Sequence, residues 1–75
     1  MAFKYEIKER IAVLSESEDG RYTTEINMIS YNGAEPKVDI RKWNRAEDRM
    51  GKGIALTKEE AGALLMALQG RKQVE

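Results

Sequence analysis

Pro36-Lys37-Val38-Asp39-Ile40-Arg41-Lys42-Trp43, then Met50-Gly51-Lys52-Gly53-Ile54-Ala55-Leu56 after a short polar gap, then Thr57-Lys58-Glu59-Glu60: this succession decides the fold. The first run alternates charged and branched side chains from Lys37 to Trp43 with the period of two that a strand requires, and Pro36 opens it where no backbone donor is needed. The second predicts a short strand from Arg49 to Leu56, in which Gly51 and Gly53 announce a bulge or a close approach of backbone. The third is a capping box. Thr57 stands at the N-cap and Glu60 at the third helical position, ahead of Ala61, Leu64, Leu65 and Leu68 on one helical stripe of about thirteen residues that Gly70 ends before a charged tail.

Working back toward the amino terminus, Asn32-Gly33-Ala34-Glu35 is a turn, since Asn and Gly both tolerate positive φ. Arg21 to Asn32, rich in Thr, Ile and Tyr, reads as a strand, and Ser15-Glu16-Ser17-Glu18-Asp19-Gly20 as a solvated acidic turn. Phe3 to Leu14 places Phe3, Tyr5, Ile7, Ile11 and Val13 on one parity and Lys4, Glu6, Lys8 and Arg10 on the other, the pattern of a half-buried strand. Glu9 breaks that alternation and marks a bulge or the end of the buried part. The expected fold class is α+β: one domain over residues 1–75, a four-stranded curved antiparallel sheet followed by one C-terminal helix (ββββα), and dimeric. One helix cannot cover both faces of such a sheet, and Ala63, Met66 and Ala67 give the helix a second apolar strip, so a two-fold homodimer through Leu64, Leu65 and Leu68 is the simplest closed arrangement.

Composition narrows the function. The 75 residues contain no Cys and no His, which removes disulfides, thiolate sites and the commonest metal ligand and general base. No nucleophile has a base beside it, Glu59-Glu60 belongs to the helix start, and Glu47-Asp48 is a loop-borne pair, so no enzyme activity, metal site or cofactor is expected. No long apolar run occurs, and a cytoplasmic protein without signal peptide or membrane span is expected, nucleoid-associated if bacterial. Thirteen acidic and thirteen basic residues cancel, but residues 37–52 carry Lys37, Arg41, Lys42, Arg45, Arg49 and Lys52 against Asp39, Glu47 and Asp48. Cations interleaved with aromatic rings on a strand suit a flexible polyanion with π-faces, and single-stranded nucleic acid is that ligand.

Val38-Asp39-Ile40-Arg41 with nearby Trp43, then Gly51-Lys52-Gly53-Ile54-Ala55-Leu56, then the capped helix from Thr57, resemble the positive cofactor four family of single-stranded-DNA-binding transcriptional coactivators, and within it a small bacterial YdbC-like branch. Tyr5-Glu6-Ile7-Lys8-Glu9-Arg10 matches more loosely. The resemblance implies four strands and a helix, a homodimer through the helices, and sheet grooves that take single strands or melted duplex. The acidic turn from Glu16 to Asp19 and the cation-poor second strand depart from that pattern.

Each candidate also has a plain structural reading. Trp43 either caps the core at a strand end or stacks a base beside Lys37 and Arg41, with which it shares a parity while Val38 and Ile40 face the core. Tyr31 is a second stacking candidate. Lys52 is a solvated lysine at a bulge, or its flanking glycines let a phosphate approach it. Lys8 and Arg10 lie on the polar parity of the first strand, where solvation or backbone contact would suit them, and Asp39 orients a neighbouring Arg. The expected partners are single-stranded DNA, with RNA or melted duplex as related ligands, and a second copy of the chain. A protein-interaction domain using the same Trp and Tyr surface is the reading of a different class.

Overall fold

The computed structural model describes residues 4–71. The order is β1 (Tyr5–Glu16), β2 (Tyr22–Tyr31), β3 (Lys37–Asn44), β4 (Arg49–Leu56) and α1 (Lys58–Gln69). The strands pair antiparallel in sequence order, forming a meander that does not close. The expected elements are all present, with Phe3 lying outside the described residues. No helix among those residues is long and apolar enough to cross a membrane.

Turn chemistry sets the register. Asn32 and Gly33 both adopt positive φ, and Asn32 Oδ1 accepts from the Lys4 backbone amide, tying the β2–β3 turn to the start of β1. In the acidic turn Gly20 has φ 74°, while the Asp19 carboxylate accepts from Ser17 Oγ and the Arg21 amide. At the helix start Thr57 Oγ1 accepts from the Glu60 amide and Glu60 Oε1 from the Thr57 amide, so the capping box closes in both directions. Gly70 ends the helix in right-handed backbone (φ −72°) rather than in the left-handed conformation that selects glycine.

The edge strands are bulged. Register shifts fall between Ile7 and Glu9, between Arg10 and Ala12, and between Val13 and Ser15, which leaves Lys8, Ile11 and Leu14 without partners opposite them. The break that Glu9 announces in the sequence is the first of these, and each one reverses the parity of the residues beyond it. A simple alternation therefore misplaces Arg10, which joins the face of Ile7, while the second bulge returns Val13 to that face; Ile11, Val13 and Leu14 are nevertheless exposed. On β4 a shift puts Gly51 and Lys52 opposite Lys42.

Cross-strand partners share a face, so the register sorts the sheet into two surfaces. Met28, Val38 and Leu56 form one row of an apolar face, and Ala12, Ile26, Ile40 and Ile54 the next. Arg10, Asn27, Asp39 and Ala55 form a row of the opposite, polar face, between the row of Ile7, Ile29 and Lys37 and that of Val13, Glu25, Arg41 and Gly53, beyond which lies the row of Glu16, Thr23, Trp43 and Met50.

Burial runs opposite to polarity. Val38 and Ile40, expected to face the core, are only half-buried, and Ile54 is 56% exposed. Among the described residues the buried ones are Ile29, Trp43, Thr23, Glu25, Asn27 and Asp39 on the polar face, and Ser30 on the other. The cause is coverage: long arginine and tyrosine side chains lie over the polar face, while α1 meets the sheet only along β3 and β4 and has no buried residue of its own. Leu64, Leu65, Met66 and Leu68 are exposed on it.

Candidate nucleic-acid interface

The polar face is organised around two carboxylates. Asp39, fully buried, accepts from Arg41 Nε at 2.6 Å and Arg41 Nη2 at 2.7 Å, and also from the Tyr31 hydroxyl. A bidentate guanidinium on a buried carboxylate is a strong, geometrically specific pair. Asp39 thus orients Arg41, as its place beside a strand arginine suggests. Arg41 Nη1 reaches across to the Gly51 carbonyl at 3.0 Å, so this side chain also spans the β3–β4 ladder beside the glycine bulge. Burial, reinforced by the bond to Asp39, pushes the Tyr31 hydroxyl up to about 12.

Glu25 is the second centre. Its carboxylate accepts from Thr23 Oγ1 at 2.6 Å, Asn27 Nδ2 at 3.3 Å, Arg45 Nε at 3.0 Å and Arg45 Nη2 at 2.5 Å, with Arg10 Nη1 at 3.6 Å. Burial works to raise its pKa, but the bonds from Arg45, Thr23 and Asn27 prevail and hold it below the usual carboxylate value. Glu25 therefore stays ionised under the sheet's own cations. A buried carboxylate needs that many partners, because an unpaired one would be strongly destabilising.

Trp43 stands one row beyond Glu25 and Arg41 on the same face and is 1% exposed. The Arg45 guanidinium sits 4.7 Å from the centroid of its ring, and Tyr5 packs against it with centroids 5.8 Å apart at 58°. Its Nε1 is buried without a hydrogen-bond partner among the described residues. The sequence places Trp43 beside Lys37 and Arg41 on one parity, and the register does the same, but the ring is covered rather than open. Arg45, two residues further along the chain, supplies the cover.

Of the seven sequence-derived binding candidates, the register brings five to this one face: Arg10, Tyr31, Lys37, Arg41 and Trp43. Lys8 and Lys52 stand at the β1 and β4 bulges instead, Lys52 exposed between Gly51 and Gly53 and Lys8 paired with Glu6 at 3.1 Å. Leu64, Leu65 and Leu68 lie apart from all of these on the exposed helix. Sequence reasoning missed Glu25 and Arg45. The available signal was three polar side chains, Thr23, Glu25 and Asn27, on one parity of a strand rich in branched residues, followed by an arginine in the turn after β3. Of the loop carboxylates, Glu47 pairs with Arg49 at 3.0 Å, and Asp48 accepts from the Nη1 of the same Arg45 that holds Glu25, at 3.2 Å on the exposed side.

A sequence profile of the family described as Transcriptional Coactivator p15 (PC4) matches residues 21–67, from the start of β2 well into α1. An uncharacterized protein of Treponema pallidum (strain Nichols) is 42% identical to the chain over 62 residues, which is 83% of this chain and 72% of that protein.

Proposed function

Because the chain belongs to the family of Transcriptional Coactivator p15 (PC4), whose members are single-stranded-DNA-binding and coactivator-like, we propose that it is a sequence-tolerant single-stranded DNA-binding protein. It serves transcription, replication or repair as an accessory factor and works as a homodimer. The family match over β2, β3, β4 and most of α1 carries this reading. The strand runs along the polar face, where Lys37 meets phosphates and Lys8 and Lys52 reach in from the bulges of β1 and β4; Arg10 and Arg41 shape the surface while offering further donors, and Tyr31 and Trp43 are the rings for bases, Trp43 once its Arg45 cover is moved. Rings and cations together bind without reading sequence, since every base has a π-face.

Salt titration tests the electrostatic part. Affinity for a labelled dT oligomer is expected to fall with salt at a log–log slope of about −0.7 per phosphate neutralised. Lys37→Ala and Lys52→Ala should each make the slope shallower by about that amount, with melting temperature unchanged. Affinity indifferent to salt would refute the groove. A chain that ignores oligonucleotides altogether would instead be a protein-interaction domain.

The second copy docks on α1. A helix with no buried residue and a sheet whose Ile54 is 56% exposed leave apolar area that a single chain does not cover, and each leucine fully withdrawn from water contributes roughly 1.5–3 kcal/mol. Sedimentation at micromolar concentration is expected to give a dimer for the parent and monomer or unfolded chain for Leu68→Asp. A stable monomeric parent would end the dimer proposal.

A further inference from the structure

We infer that Arg45 is a displaceable lid on a nucleobase site formed by the indole face of Trp43, a deeper statement about the same face that rests on the single-strand reading above. A base and a guanidinium are alternative occupants of one aromatic face, since both are flat and both are held by π contact. In this structure the guanidinium holds the position, 4.7 Å from the ring centroid.

Three observations make the cover removable. Arg45 belongs to the turn between β3 and β4, outside the strand ladders, so its side chain can leave without breaking a strand pair. Its backbone stays fixed meanwhile, because the Arg45 amide donates to the Arg21 carbonyl at 2.6 Å. Glu25, which anchors the guanidinium, has a second arginine waiting: Arg10 Nη1 lies 3.6 Å from the same Oε1 that Arg45 Nη2 holds at 2.5 Å, on a side chain that is 63% exposed. When Arg45 leaves, Arg10 closes on the carboxylate while Thr23 and Asn27 keep their bonds, so the buried charge is never left unpaired.

The closed state also carries a defect that opening relieves. Trp43 Nε1 is a buried donor without a partner among the described residues, and such a group forfeits the hydrogen bond that it would make in water. Once the lid lifts, water or an acceptor on the incoming nucleotide can take that N–H. The freed guanidinium becomes a cation beside the strand and meets a phosphate. One side chain therefore trades an aromatic ring for a phosphate as the base arrives.

Trp43 is the single tryptophan, so its emission reports on the lid directly. In the parent, acrylamide should quench it weakly, and a dT oligomer should change its emission at a rate that levels off with oligomer concentration as lid opening becomes limiting. Arg45→Gln should open Trp43 to acrylamide before any oligomer is added, raising quenching toward that of free tryptophan. The same change should make the salt slope for dT shallower by about 0.7, the loss of one phosphate contact, which a merely structural arginine would not do. If Arg45→Gln alone fails to fold, Glu25→Gln with Arg45→Gln removes the stranded charge and answers the same questions. Labelled dT that binds the parent while Trp43 emission stays unchanged would overturn the lid and leave single-strand binding standing, as would an Arg45→Gln slope equal to that of the parent. Labelled dT that does not bind at all would overturn both.

Discussion

Trp43→Ala is expected to lower folding stability by about 3–5 kcal/mol, the usual loss when a buried tryptophan is emptied to alanine. Its ring is 1% exposed between Arg45 and Tyr5, so the substitution leaves a hole that neither neighbour can fill without giving up other contacts. Arg45 would lose its aromatic platform and Tyr5 its tilted partner at the same time. A domain of this size has a small margin of stability, and a loss of this order brings it close to unfolding at room temperature. Urea titration followed by circular dichroism measures the effect. A variant that unfolds at the parent's urea midpoint would show that the ring does not support the fold and acts at the surface alone.

Gly53→Ala is the second large effect. Gly53 stands opposite Arg41 where β3 and β4 pair, and a Cβ built there would overlap the Arg41 Cβ and the Ile40 carbonyl oxygen. Overpacking of this kind costs roughly 1–3 kcal/mol and occasionally more, and the upper end is expected because the obstacle is backbone and a side-chain stem rather than a flexible tip. Arg41 cannot simply swing aside, since its guanidinium is fixed on Asp39 and on the Gly51 carbonyl. Gly62→Ala is the control: nothing lies within 4 Å of a Cβ at that helical position, and there alanine should stabilise by about 0.5–1 kcal/mol. Equal melting temperatures for the two variants would contradict the close approach at Gly53.

Much of this architecture is legible in the chain because its signals are local. Thr57 and Glu60 name the helix start, Asn32-Gly33 names a turn, and Gly51 and Gly53 name an irregular strand; each requirement is met within a few residues of its cause. Burial is different, because it depends on which long side chains reach over a face. Val38 and Ile40 look like core positions beside Asp39 and Arg41 when parity alone is considered, yet the arginines and tyrosines fold down over the carboxylates and bury the polar side instead. The Glu25–Arg45 pair spans β2 and the turn after β3, and no spacing rule connects residues twenty apart. Trp43 is legible as a candidate and illegible as a covered one, since its cover comes from that same long-range pair.

The bulges of β1 have a consequence for solubility. An outer strand carrying exposed Ile11, Val13 and Leu14 would ordinarily offer its free amides and carbonyls to the strand of another molecule and seed fibrous growth. Here the backbone is kinked after Ile7, after Arg10 and after Val13, so no more than three consecutive residues, Tyr5 to Ile7, keep an unbroken ladder spacing. A straight incoming strand would lose register at each kink before it gained enough hydrogen bonds to stay. The irregularity that hides the apolar pattern of β1 from a periodicity reading also keeps that edge from acting as a template.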